Sequence, residues 1–349
     1  MAYRWSIFIV IALTLVACGP GAQSDDSPQA IVPIGGAARP TVAALASEDV
    51  TSADANLPGR LLFVKNGDLW LWQGDTGRQL TTQGNLSHPA WSPDGTRIAC
   101  VQRDASFGDI VLMSATGGEQ LPLTTNGSNA PPTSYDRIYS SLWAFYPAFS
   151  PDGSEIVFAS QFGSPFGSPA AEYNLSLYTI PAAAGGNKTQ LYASDEGHVG
   201  RSAFAPDGTL AFAYTPGGDA APQIMRYNRE SNTAEPFPGA PEQSYDPSFS
   251  PDGRRLAFAA RDGANTDIFA VSTAGGGAIR LTTLGSARAP AFSPDGTLLA
   301  FLALSPDSAQ FDLWVVDLTP EADGLRVGEP RQVTKGMGID ADSGLTWAE

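Results

Sequence analysis

A seven-residue phrase recurs along this chain and leaves few folds open to it. It reads PAWSPDG at 89–95, PAFSPDG at 147–153, SAFAPDG at 202–208, PSFSPDG at 247–253 and PAFSPDG at 290–296, with a truncated LTWAE at 345–349. Its aromatic residue falls at Trp91, Phe149, Phe204, Phe249, Phe292 and Trp347, in steps of 58, 55, 45, 43 and 55 residues. Each period reads as four short strands, as in PAWS, RIACVQ, DIVLM and QLPLTT. Periods of roughly 40 to 50 residues with several strands each predict a β-propeller.

Pro-Asp-Gly supplies what a type I turn followed by a left-handed residue requires: Pro presets φ, Asp tolerates the bridge region and Gly accepts positive φ. Asp94, Asp152, Asp207, Asp252 and Asp295 are therefore assigned to turns, because five equal copies on separate blades cannot share one catalytic or metal site. Ser305-Pro306-Asp307 imitates the phrase but follows Pro294 by only 12 residues, inside a loop.

The ends of the repeat region predict how the ring closes. The strand Leu61-Leu62-Phe63-Val64 matches the one that follows the turn elsewhere and has no turn before it. Leu345 to Ala348 match the strand before the turn and have nothing after them. Each end thus lacks what the other supplies. The expected fold is all-β, a six-bladed β-propeller of four-stranded antiparallel blades over 59–349, closed by the C-terminal strand joining the N-terminal blade.

Residues 1–17 read as a secretory signal peptide, with Arg4 and an apolar run from Ile7 to Val16 too short for a bilayer span. The ending Leu15-Val16-Ala17-Cys18 is similar to the lipobox of bacterial lipoproteins, which implies lipidation of Cys18. Residues 18–58 are rich in Ala, Gly, Pro, Ser and Asp and lack aromatic residues, the composition of a disordered tether. A flexible chain of that length reaches roughly 35 Å, and two or more acyl chains would hold it stably on a membrane.

The chain carries 36 acidic against 20 basic residues, a formal charge of -16, with the basic ones scattered apart from Arg254-Arg255. Nucleic acid and anionic lipid headgroups are excluded as partners, since both need a basic stripe. Cys100 has no partner once Cys18 is lipidated and is expected to be a small buried hydrophobe.

The repeat resembles the TolB type of WD-like propeller repeat. The matching residues are Arg97-Ile98-Ala99 and Leu256-Ala257-Phe258 in the second strand and Asp68, Asp109, Asp267 and Asp312 opening the third. Arg78-Gln79-Leu80-Thr81 and Arg280-Leu281-Thr282 match the fourth. The resemblance covers 60–349 and implies a protein-binding propeller, without carrying over a specific partner. TolB proteins place an α/β domain before the propeller, where this chain has its tether.

Antiparallel blades put the Pro-Asp-Gly turns on one face of the ring and most long insertions on the other: 125–146, 161–173, 215–222 and 304–311. Extra length on a rigid scaffold is where binding resides. The insertion 125–146 carries Tyr135, Arg137, Tyr139, Trp143, Phe145 and Tyr146, with Phe162 and Phe166 expected nearby. Tyr, Trp and Arg dominate interface hot spots, so these residues other than Tyr146, which abuts the innermost strand, are the protein-binding candidates. A local cap that buries its own aromatics is the competing reading. His88, Tyr146, Arg201, Asp246, Ala289 and Gly344 are expected to ring the channel mouth, where a peptide end, a sugar, an ion or ordered water would fit.

No nucleophile elbow, zinc motif or glycine-rich phosphate loop is present. The expected function is a membrane-tethered, extracytoplasmic, non-catalytic and monomeric module that binds an envelope protein or peptide and needs no cofactor. The tether would sit on the outer membrane, or on the outer face of the cytoplasmic membrane in a single-membrane bacterium. The alternative is a small-molecule, sugar or metal-binding sensor, or a lactonase-type hydrolase with a channel cation near Asp246 and His88.

Overall fold

The structure, a computed structural model, describes residues 50–349 except 53–55, 132, 162–174, 194–196, 218–219 and 322–323. The expected signal peptide, the lipidation site Cys18, most of the expected tether, Phe162 and Phe166 lie outside the described residues.

Six antiparallel sheets form the blades of a propeller. Their innermost strands are Thr346–Ala348 in blade 1, then Leu86–Trp91, Ala144–Phe149, Gly197–Phe204, Ser244–Phe249 and Arg288–Phe292 in blades 2 to 6. Blade 1 is composite, as the two incomplete ends of the repeat predict. Thr346–Ala348 pairs with Leu57–Lys65 in the register Arg60↔Ala348, Leu61↔Trp347 and Leu62↔Thr346. Described residues ahead of 59 also take part in blade 1. Val50–Thr51 adds an outermost strand to blade 1 through Gly77 and Thr76, and Leu57 is buried.

The second strand of every blade is buried on both faces, which explains its nearly unbroken apolar sequence. Alternate residues serve different neighbours, because successive strand side chains point to opposite faces. Leu61 and Phe63 pack into a cluster shared with blade 6, whereas Leu62 and Val64 pack into one shared with blade 2. The same division runs around the ring through four further clusters, so each apolar cluster among the described residues joins two adjacent blades. Phe63, Phe158, Phe212, Phe258 and Phe301 occupy one repeated position, and full burial of each contributes about 1.5–3 kcal/mol. Cys100 stands at that position in blade 2, fully buried, and burial pushes its thiol far up, out of reach of redox chemistry at neutral pH.

Five Pro-Asp-Gly turns cap one face, each closed by a hydrogen bond from the glycine N–H to the carbonyl three residues before, as in Gly95 N to Ser92 O at 2.8 Å. The glycines hold φ between 63° and 89°, so the turn assignment of the aspartates stands. Ser305-Pro306-Asp307 lies in the link between Leu298–Leu304 and Phe311–Glu321, outside the set of inner-strand turns.

Candidate functional site

The loop face is shaped by a bulge at one repeated position. In blades 2 to 6 the inner strand slips register against the second strand just ahead of the aromatic. The residue three places before that aromatic adopts left-handed φ: His88 at 51°, Tyr146 at 55°, Asp246 at 54°, Ala289 at 54° and, in blade 1, Gly344 at 76°. Proline follows at 89, 147, 247 and 290, and it disfavours right-handed helical backbone in the residue before it. Bulges re-aim side chains. Here they turn the expected ring residues toward the mouth of the channel.

Blade 4 shares the slip but not the left-handed residue. It carries Gly200-Arg201-Ser202, with serine in the proline place, and Arg201 keeps an ordinary negative φ. Its side chain extends across the mouth. Arg201 Nη2 donates to Asp342 O at 2.8 Å, and Nε lies 3.3 Å from Asp246 Oδ1. An ideal Cβ built on Gly344 would stand 2.6 Å from the guanidinium, so the two residues are in direct contact. Asp342 and Gly344 lead into the closing strand of blade 1, directly opposite blade 4 in a ring of six.

The rest of the mouth is tied to this crossbar. Asp246 also faces Arg288 Nε at 3.4 Å and accepts from Ala289 N at 3.2 Å, while Arg288 Nη1 reaches Asp342 Oδ1 at 2.7 Å. Arg201 lies 5.2 Å from the Tyr146 ring centre, and His88 meets the same ring edge-on at 4.5 Å. Burial, followed by the Arg201 and Arg103 charges, holds His88 well below its usual imidazole range, so it is neutral at physiological pH. The expected ring of separate polar groups is a connected network. Sequence spacing pointed to four of its charged and aromatic members; Arg288 and Asp342 carried no signal, because neither occupies the repeated position.

From Tyr146 an aromatic ledge continues outward. Phe145 lies 5.9 Å from Tyr146 and stacks on Trp143 at 5.9 Å and 7°. Further along, the short helix Asp136–Ser140 presents Tyr139 beside Tyr135, with ring centres 5.9 Å apart. Tyr135 is 75% exposed. Arg137 is turned back toward the carbonyls of Ser128 and Ala130 at 3.5 and 3.4 Å. The insertion is therefore divided: Trp143, Phe145 and Tyr146 are half-buried against the blades, and Tyr135 projects.

Behind the crossbar the channel forms a cavity of about 550 Å³ that runs to the turn face, where Pro93, Pro151, Pro206, Pro251 and Pro294 form its rim. His88 and Asp246 are not among its lining residues. Asp246 lies between two arginines, 3.3 Å from Arg201 Nε and 3.4 Å from Arg288 Nε. Among the described residues no three His, Cys, Asp or Glu side chains converge as a metal-ligand set.

The family profile of the TolB beta propeller domain matches residues 140–319, just over half of the chain. The chain belongs to the TolB beta propeller domain family. The structure of TolB from Acinetobacter baumannii superposes with a TM-score of 0.60 at 20% identity, over 84% of this chain and 67% of that one. The putative TolB from Agrobacterium tumefaciens gives 0.56 at 18% identity, over 81% and 90%. A chain from a nidogen/laminin complex gives 0.54 at 13% identity, over 83% and 98%. At these identities the likeness is one of fold. No curated protein sequence matches. The TolB-type propeller here thus combines a family scaffold with a crossbar supplied by blade 4, which has serine in the proline place.

Proposed function

We propose that this TolB-type propeller is an exported, membrane-tethered, non-catalytic scaffold that docks an envelope protein or peptide on its loop face. The ledge running from exposed Tyr135 through Tyr139 to Trp143 carries the reading, since aromatic side chains on a rigid support bring large contact area at low entropic cost. The lipobox-like Leu15-Val16-Ala17-Cys18 supports export and anchoring through acyl chains on Cys18. The use of the carboxylates supports a non-catalytic role: those of the Pro-Asp-Gly phrase hold turns, and Asp246 is held between Arg201 and Arg288. No cofactor is required for docking. The nidogen/laminin assembly offers a parallel in which a chain of this architecture occurs in a protein complex.

The test places a photo-crosslinking residue at Tyr135 or Tyr139 of the full chain in its native envelope. The expected result is a discrete protein adduct that disappears in Arg137→Ala combined with Trp143→Ala, with the melting temperature little changed. Cys18→Ser should move the protein out of the membrane fraction. Adducts formed equally well from Asp207, on the turn face, would sink the docking reading, and a Cys18→Ser protein still membrane-bound would sink the anchor.

A further inference from the structure

We infer that the channel is a blind well, open on the turn face and floored by Arg201, that binds the carboxylate of a slim ligand through Arg201 and Ser202. This site is separate from the aromatic ledge and does not rest on the docking proposal. Its volume of about 550 Å³ falls within the range of small-molecule sites, about 300–1,000 Å³. The wall midway along is lined by Ala90, Ala148, Ala203, Ser248, Ala291 and Thr346, one small side chain per blade, which leaves room for a narrow occupant.

Ser248 and Thr346 contribute hydroxyl side chains to that wall, and blade 4 adds a further one in the place that is proline in most blades. Where blades 2, 3, 5 and 6 have proline, blade 4 has Ser202, which lines the cavity, is 6% exposed, and has a buried hydroxyl without a hydrogen-bond partner among the described residues. A buried, unpaired hydroxyl costs stability, and a χ1 rotation that turns it from the wall into the well would let it donate to a ligand oxygen and recover a lost interaction. Beside it Arg201 uses Nε and Nη2 on Asp246 and Asp342, and its planar fork has five N–H donors in all. A carboxylate oxygen is the acceptor that suits a guanidinium and a hydroxyl together.

The local charge favours an anion. Arg201, Asp246 and Arg288 have side chains only 15%, 8% and 25% exposed, whereas Asp342 is 80% exposed and screened by solvent. The buried part of the cluster therefore holds two cations and one carboxylate. The depressed His88 imidazole, disfavoured as a cation first by burial and then by Arg201 and Arg103, reports the same positive field. Glu349, the acidic residue of the lining, lies at the far rim, where its carbonyl accepts from Arg60.

Two sources can present this chemistry, the carboxyl end of a peptide or a free small acid. Titration calorimetry on the purified full chain at low salt would use three probes: acetyl-trialanine with a free carboxyl end, the same peptide amidated, and succinate. Binding of the acid peptide at least about tenfold tighter than the amide supports the site and assigns it to peptide ends; binding of succinate alone supports it and assigns it to small acids. Arg201→Gln should weaken the bound acid at least about tenfold and Ser202→Ala about threefold or more. Ser202→Ala leaves Arg201 and its partners in place, so the test remains decisive if Arg201→Gln fails to fold. Equal binding of acid and amide, no binding of either acid at about 10 mM, or affinity indifferent to Ser202→Ala would overturn the inference.

Discussion

Asp94 and Asp152 show how one residue of the repeated phrase does its work. Asp94 Oδ1 accepts from Ser92 Oγ at 2.6 Å and from Thr96 N at 3.0 Å, and Asp152 receives the same pair from Ser150 and Ser154. The serine hydroxyl first, then the backbone N–H, lowers each carboxyl to about 2. A carboxyl whose folded pKa lies below its unfolded value stabilises the protein above that unfolded value, and the contribution disappears as pH falls through the folded pKa. The turns should therefore loosen between about pH 4 and pH 2. Ser92→Ala should bring the Asp94 carboxyl back toward the ordinary range, read as a shifted carboxyl-carbon titration by NMR; an unmoved midpoint would contradict the assigned cause. These aspartates were legible as turn residues from Pro-Asp-Gly alone. The serine before them was equally visible, and blade 4, with Ala205 in its place, leaves Asp207 with the Thr209 N–H.

At the scale of the strand pair, Asp68, Asp109, Asp267 and Asp312 carry a second repeated device. Each accepts from a fourth-strand threonine, Thr81, Thr124, Thr282 or Thr334, at 2.7–3.0 Å. That threonine oxygen accepts in turn from the N–H of the residue after the aspartate, as in Ile268 N to Thr282 Oγ1 at 2.9 Å. Backbone N–H groups beyond the threonine, Leu284 and Gly285 in blade 5, complete the latch. It ties the third strand of blades 1, 2, 5 and 6 to the segment that follows it. Thr282→Val keeps the shape but removes both bonds and leaves buried partners unsatisfied, so it should cost about 1–3 kcal/mol in urea denaturation. A loss within experimental error would show the latch to be incidental. The aspartates could be read from the sequence as a recurring position, but their purpose could not, because the partner lies 13 to 22 residues away. In blade 3 the corresponding place is taken by Ser176, buried and without a hydrogen-bond partner among the described residues.

Across the whole molecule, closure was readable because a missing first strand at one end and a surplus strand at the other can satisfy only one another. The crossbar was not readable, since nothing in a linear repeat says that a long side chain will span the ring to a blade more than a hundred residues away. Arg201 and Asp342 are separated by 141 residues, and the clue was only that blade 4 lacks the proline. In the inference drawn above the crossbar floors the well on the loop-face side, so that the ledge and the well occupy opposite ends of one scaffold. Its span can be tested by coupling. Gly344→Ala forces alanine into φ 76° and drives a Cβ against the Arg201 guanidinium, so it should cost about 2 kcal/mol or more in the wild-type background. In an Arg201→Gln background the clash is relieved and about 1 kcal/mol of backbone strain should remain. Residues that do not touch give additive effects within about 0.5 kcal/mol. A coupling energy of about 1 kcal/mol between blades 1 and 4 is therefore expected from the double-mutant cycle, and strict additivity would mean that Arg201 does not bridge the ring.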